Sequence, residues 1–321
     1  PPPPTPARQQ TPHPKHRHPS REATRGNSNS HPRPRVFGER TNILRIPPPV
    51  HKLPDLALDE DLGPGDITTD SLVPPDLTGR AVILAKEPLV LAGLDTARRV
   101  FARFDDHAVF ETAKKDGDTI KKGETFIKLT GRLAALLKAE RIALNFLQRL
   151  CGIATHVRAY MDEIGDSAVR LVDTRKTTPG WRVLEKYAVR VGGAANHRMG
   201  LYDGVLIKDN HIAACGGVKP AIHRARQNVS HLIRIEVEVS TLEETSQALE
   251  AGADVIMLDN MDVPQIRQAV DLIGQNALVE VSGNVTMDRL KTLAQTGVDL
   301  ISIGALTHAA RSVDISMRIS T

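Results

Sequence analysis

The sequence predicts an α/β protein, a (β/α) barrel preceded by a smaller α+β domain. Three observations carry this: a repeated strand-then-helix grammar after Val169, short broken strand candidates before Gly131, and a leucine stripe at helical spacing between them. In the first, the apolar runs Val169–Val172, Val205–Ile207, Ile233–Val239, Val255–Leu258, Leu278–Val281 and Leu300–Ile303 end at, or carry near their ends, Asp173, Lys208, Glu238, Asp259, Ser282 and Gly304. These landmarks recur about every 21 to 35 residues, room for one crossover helix per strand, as parallel pairing requires. Right-handed crossovers curl such units into a barrel or a doubly wound sheet. The barrel is favoured because every run ends in chemistry, and a barrel gathers strand ends at one mouth. A doubly wound sheet would use a single crevice instead.

Upstream, an acidic opening (Asp59 to Thr69) leads into Ala81–Ala85, Leu89–Leu91, Ala108–Thr112 and Thr125–Leu129. These short apolar or β-branched runs, broken by turns such as Lys115-Asp116-Gly117-Asp118, predict a small β-rich domain. Leu133, Leu136, Leu137, Ala143, Leu144, Leu147 and Leu150, interleaved with Lys138, Arg141 and Arg149, predict an amphipathic linking helix over 133–150. The expected organisation is a tail over 1–46, an N-terminal domain with the linking helix over 47–150, and the barrel over 151–321. The C-terminal end of the barrel is free to pack back on the first domain.

The charge of +4 belongs to the tail. Residues 1–46 hold nine Lys/Arg against Glu22 and Glu39, a balance of +7, so the remainder carries −3. That distribution argues against a nucleic-acid surface on the folded body. The tail, rich in Pro and Arg with His13, His16, His18 and His31, buries too little apolar surface to order itself and is predicted disordered. Its prolines oppose an amphipathic targeting helix. Cys151 and Cys215 show neither disulfide nor zinc spacing, and no apolar run reaches the roughly 18 residues that span a bilayer. A cytoplasmic protein without a membrane partner is the expectation.

The tract Asp173-Thr174-Arg175-Lys176, with Arg198 and Lys208, sets cations at two strand ends. Arg grips carboxylate or phosphate bidentately and Lys acts as a point charge, so the set suits a ligand with several acidic groups. Any one of these residues alone would read as solvated rim charge. Glu238 and Asp259, on successive strand ends, suit ribose hydroxyls or a water-coated Mg²⁺, with an Asx cap the alternative for Asp259. Glu236 shares the parity of Glu238 but lies farther from the carboxyl end. Ser282-Gly283-Asn284 and Ile303-Gly304-Ala305, each before a helical segment, have the form of a phosphate cradle. His197 suits either a contact to a carboxylate or proton transfer, or else a packed role. Trp181 and Tyr187 read as packing residues.

The strings Asp173–Gly180, Gly192–Arg198, Leu206–His211, Glu236–Val239, Met257–Asn260, Val281–Gly283 and Ser302–Thr307 resemble the quinolinate phosphoribosyltransferases, in order from about Leu53 to the C-terminus. The resemblance implies an N-terminal α/β sandwich, an incomplete barrel, and a homodimer or hexamer that uses Mg²⁺. The implied reaction joins quinolinate and phosphoribosyl pyrophosphate into nicotinate mononucleotide for NAD synthesis, releasing pyrophosphate and CO₂. It assigns Thr174, Arg175, Lys176, His197, Arg198 and Lys208 to quinolinate and pyrophosphate, and Glu238 and Asp259 to ribose and, through water, magnesium. Ser282, Gly283, Asn284, Ile303, Gly304 and Ala305 fall to the phosphate, with Asn284 standing where many members have Gly. Lys176, Lys208, Glu238 and Asp259 form the implied catalytic set, and Arg141 reaches the neighbouring subunit's site. The rival readings are a phosphoribosyltransferase of the same scaffold for another anion, a Schiff-base aldolase built on Lys208, and nucleic-acid binding through the tail.

Overall fold

A computed structural model describes residues 52–320; the tail over 1–46 lies outside the described residues. The chain enters through α1 (Lys52–Leu62) and α2 (Ile67–Leu72), the latter capped by the Asp66 carboxylate, which accepts from the Thr69 N–H at 2.9 Å. The first domain follows as β1 (Thr78–Ala85), β2 (Leu89–Val90), α3 (Leu94–Ala102), β3 (Val109–Glu111), β4 (Thr119–Ile120) and β5 (Thr125–Arg132). The long helix α4 (Leu133–Ile164) leads to the second.

That helix has 32 residues and runs well past Leu150. The apolar stripe persists beyond the expected end through Ile153, Ala154, Val157 and Tyr160, all buried, and Gly165 at φ 55° stops it. At Gly152 an added Cβ would lie 2.1 Å from the Arg311 carbonyl oxygen, so helix and C-terminal segment touch backbone to backbone.

The barrel comprises β6 (Arg170–Val172), α5 (Arg182–Gly192), β7 (Val205–Ile207), α6 (Asp209–Cys215), α7 (Val218–Asn228), β8 (Ile235–Val239), α8 (Leu242–Glu250), β9 (Val255–Asp259), α9 (Val263–Ile273), β10 (Leu278–Ser282), α10 (Leu290–Ala294), β11 (Leu300–Ser302) and α11 (Ala305–His308). Its helices start where their caps dictate. Thr241 with Glu244 opens α8, and Asp262 with Gln265 opens α9, both as capping boxes. Its six strands are parallel in the order β6-β11-β10-β9-β8-β7, and β6 and β7 stand at opposite edges without closing the ring. The barrel is therefore incomplete, its seam partly filled where Ala195 bridges to Val172. The strands β8, β9 and β10 are buried along most of their length, as parallel strands covered on both faces must be.

The last strand, β12 (Ile315–Ser320), leaves the barrel and pairs antiparallel with β1, aligning Ile83 with Met317. The first domain's sheet thus reads β12-β1-β5-β3, with α4 packed on it and α3 packed on α4. Among the described residues no helix is long and apolar enough to cross a membrane. Because Gly152 has no space for a methyl group, Gly152→Ala is expected to destabilise the protein by about 1–3 kcal/mol and to lower the thermal midpoint by several degrees. An unchanged midpoint in a thermal melt would show that the helix and the C-terminal segment can separate freely.

Candidate active site

The carboxyl ends of the six strands surround one cavity of about 800 Å³. Its cationic side begins with Asp173, just past β6, which is completely buried together with Lys186 of α5. Lys186 Nζ donates to Asp173 Oδ1 at 2.6 Å and to the His197 and Arg198 carbonyls, each at 3.0 Å. Asp173 also accepts from Asn196 Nδ2 at 2.6 Å and from the His197 N–H at 2.9 Å. Burial pushes the Asp173 carboxyl up and the Lys186 ammonium down, and their ion pair and hydrogen bonds oppose both shifts. The knot sets the Thr174–Lys176 segment beside His197 and Arg198.

Beneath the same segment, buried Glu185 accepts from Arg149 Nη2 (2.7 Å), Thr178 Oγ1 (2.9 Å) and the Thr178 N–H (3.1 Å). Thr307 Oγ1 donates to the Lys176 carbonyl at 2.7 Å, joining the first strand end to the last. The Lys176 side chain lines the cavity over Gly304, where an added Cβ would meet its Cδ at 2.8 Å. Gly304 itself has an ordinary φ of −64°, so only this side-chain contact bears on its lack of a Cβ. Burial and the facing Arg175 guanidinium both lower the Arg198 pKa, the signature of cations held together before any anion arrives.

The opposite side is acidic and amide-rich. Glu238 forms an ion pair with Lys208, and Asp259 accepts from Asn260 Nδ2 at 2.7 Å. At Gly283 (φ 87°) a Cβ would fall 2.3 Å from Asn260 Oδ1, so only glycine fits. Asn284 has φ 47°, a left-handed conformation that asparagine tolerates and glycine adopts freely, which accounts for Asn standing at a glycine position. Ile303 lines the cavity, but its N–H is spent on the Val172 carbonyl at 2.9 Å.

One step deeper, His197 Nε2 lies 2.9 Å from Glu236 Oε2 and 3.8 Å from Glu280 Oε1. Burial opposes charge on His197, but the Glu236 hydrogen bond and the two carboxylates outweigh it and raise its pKa. Burial and the neighbouring Glu236 charge push Glu280 up to about 8. These three groups could hold a cation, since one ligating atom of each lies within 4.8 Å of the others. The 2.9 Å contact is equally that of a hydrogen bond, and Mg²⁺ prefers an all-oxygen, partly hydrated shell, which the mouth carboxylates Glu238 and Asp259 suit better.

The cavity brings together Thr174, Arg175, Lys176, His197, Arg198, Lys208, Glu238, Asp259, Ser282, Gly283, Asn284, Ile303, Gly304 and Ala305. Arg141 is not among them; it is exposed on α4. Trp181 packs against Phe146 with ring centroids 4.7 Å apart, and Tyr187 donates to Asp116, so both serve packing. Of the cavity residues outside the predicted set, two carry ionisable side chains, Arg182 and His308. Arg182 continues the cationic tract two residues past Gly180, donating to Thr177 Oγ1 at 3.0 Å. His308 is carried back over Gly304 by the single turn of α11, a placement readable only once Ala305–His308 is known to be helical. Nothing in the site favours the Schiff-base reading of Lys208, whose amine is paired with Glu238 and partly exposed rather than desolvated and unpaired.

Known proteins share both the chain and its architecture. The family model for the quinolinate phosphoribosyl transferase N-terminal domain matches residues 66–151, and that for the C-terminal domain matches 153–318. A probable nicotinate-nucleotide pyrophosphorylase [carboxylating] of Bacillus subtilis is 46% identical over 81% of this chain and 90% of its own length. Quinolinate phosphoribosyltransferase [decarboxylating] 1b of Nicotiana tabacum is 41% identical over 86% of this chain and 85% of its own. The crystal structure of NadC from Streptococcus pyogenes superposes with a TM-score of 0.83 at 42% identity, covering 85% of this chain and 96% of that one. This chain belongs to the quinolinate phosphoribosyltransferase family.

Proposed function

We propose that the cavity transfers ribose 5-phosphate from phosphoribosyl pyrophosphate to the ring nitrogen of quinolinate, giving nicotinate mononucleotide, pyrophosphate and CO₂. The observation that carries this reading is the opposition, in one cavity, of the cations Arg175, Lys176, Arg182, Arg198 and Lys208 to the carboxylates Glu238 and Asp259. Quinolinate brings two carboxylates, and its cosubstrate a phosphate and a pyrophosphate. Arginine forks suit the carboxylates, and the lysines act as point charges for pyrophosphate oxygens.

As the C1′–O bond to pyrophosphate breaks, positive charge builds on the ribose, where Glu238 and Asp259 stabilise it and orient the hydroxyls. The pyridine nitrogen attacks C1′ and becomes a pyridinium. That cation accepts the electron pair left when the adjacent carboxylate departs as CO₂, and a proton then fills the ring carbon. Gly283 and Gly304 line the cavity at the last two strand ends, the side on which the 5-phosphate would sit. Mg²⁺, held by Glu238 and Asp259 through water, would neutralise the pyrophosphate as it leaves. The free Asp259 carboxylate edge at the mouth fits such a hydrated ion.

Arg141 in this reading completes the site of a second subunit. Supporting it, the exposed apolar Ile67 and Leu72 of α2 lie beside α4, where Lys138, one turn before Arg141, pairs with Asp70. A reducing, cytoplasmic setting suits Cys151 and Cys215, both free thiols.

Lys208→Ala and Arg175→Ala are each expected to cut turnover by at least ~10²-fold with an unchanged circular dichroism spectrum. Near-normal nicotinate mononucleotide formation in both would refute the placement of the site, and wild-type protein that binds phosphoribosyl pyrophosphate but ignores quinolinate would favour another anionic substrate. Chelation of divalent ions should abolish product formation and added Mg²⁺ restore it; full activity under chelation would remove the metal from the scheme. Mixed Arg141→Ala and Lys208→Ala subunits should regain part of the lost activity in hybrid dimers, and no recovery despite proven mixing would place Arg141 outside the neighbouring site.

A further inference from the structure

His197 lines the cavity, and an imidazole there invites the reading that it grips the substrate. An account of its polar atoms points elsewhere. The N–H donates to Asp173 Oδ1 at 2.9 Å, and the carbonyl accepts from Lys186 Nζ at 3.0 Å. Nδ1 accepts from the Arg198 N–H at 2.8 Å, and Nε2 lies 2.9 Å from Glu236 Oε2. With Nδ1 occupied as an acceptor, the ring proton belongs on Nε2 and is given to Glu236. Every polar atom of His197 is thus consumed within the protein, and a second proton could enter only at Nδ1, breaking the bond to Arg198.

The support beneath the ring is built in the same way. Glu236 on β8 is 7% exposed and Glu280 on β10 is 2% exposed, and Oε1 of each lacks a hydrogen-bond partner among the described residues. An orphaned buried carboxylate oxygen is costly, and two such groups side by side are reconciled when one is an acid that donates to the other. Glu280, the more deeply buried, is that acid. Arg198, at the far end of the chain of contacts, has its carbonyl held by Lys186 at 3.0 Å and its Nη1 bound to the Gly204 carbonyl at 3.0 Å. The rest of its guanidinium faces the cavity.

We propose that His197 is a positioning residue that aims Arg198, and that Glu236 and Glu280 form the buried support that holds His197 in place. The inference rests on the quinolinate-binding reading and names which of the cavity's groups touch the acid directly: Arg198 does, and His197 acts through it.

A double-mutant cycle on the full-length enzyme tests it, reading KM for quinolinate, KM for phosphoribosyl pyrophosphate and kcat separately. His197→Ala and Arg198→Ala should each raise KM for quinolinate by about tenfold or more, while KM for the cosubstrate stays within about twofold. Because both remove one interaction, the double variant should be no worse than Arg198→Ala alone. Losses that multiply would make His197 an independent ligand and overturn the inference. Glu280→Ala should reproduce the quinolinate defect of His197→Ala, and Glu280→Gln, which retains a donor for Glu236, should recover most of it. Equal defects in Ala and Gln variants of normal thermal midpoint would likewise overturn it. Should Glu280→Ala not fold, the His197/Arg198 cycle decides alone. Wild-type enzyme inactive on quinolinate would instead sink the functional reading, an outcome separate from multiplying losses in an active enzyme.

Discussion

The buried ion pair of Lys186 and Asp173 is the interaction on which the site depends. Each charge is fully enclosed, and enclosure alone disfavours both. The pair holds because nearly all its hydrogen-bonding capacity is used: the ammonium meets a carboxylate and two carbonyls, and the carboxylate meets an ammonium, an amide and a backbone N–H. Those partners belong to β6, to α5 and to the segment before β7, which flank the open seam of the barrel. Where a closed barrel would have ladder hydrogen bonds, this one has a polar knot and the single bridge at Val172 and Ala195. Removing one partner would strand a charge and release both cationic segments at once.

Rigid placement matters because the cationic side is electrostatically unfavourable without a ligand. Arg198 and Arg175 repel one another, and although Glu236 and Asp203 partly offset this at Arg198, among the described residues no cavity carboxylate is paired with either as Glu238 is with Lys208. A flexible scaffold would let the guanidiniums splay into water. Held by the knot from behind and by the His197 ring from below, they keep a field that an anion relieves. The buried Glu236 carboxylate, backed by the Glu280 acid, adds negative potential beneath the His197 ring, so the charge alternates in layers: buried carboxylate, basic wall, then the anionic ligand. Such polar residues inside parallel strands contradict the strands' own apolar pattern, and local rules of this kind tend to be broken at functional sites.

The sequence alone was sufficient for the elements with strong periodicity or punctuation. All six barrel strands occur within two residues of the apolar runs, since a strand buried on both faces needs continuous apolar residues and its helix needs a cap. The strand-end rule pointed Lys176, Lys208, Glu238, Asp259, Ser282 and Gly304 to one mouth, and all six line one cavity, because parallel strands in a barrel point their carboxyl ends the same way. The length of α4 was written in Ile153, Val157 and Tyr160 too, although a change of domain near 150 obscures it. The two-residue strand Thr119–Ile120 was invisible, being too short for any alternation to register.

Tertiary structure alone decided which of those polar residues face a ligand and which face one another. Glu236 lies two residues deeper on its strand than Glu238, as the sequence already implied, but only the fold shows that Glu236 is sealed beneath His197 while Glu238 meets Lys208 at the mouth. Lys186 carries no sequence signal of its own and is fully buried, because only the folded chain brings Asp173 and two carbonyls to its ammonium. His308 enters the cavity through one turn of helix, and His197 loses its last free nitrogen to the backbone of its own neighbour. The linear pattern specifies which side chains reach the mouth; hydrogen-bond closure in three dimensions specifies which of them still have a bond to offer.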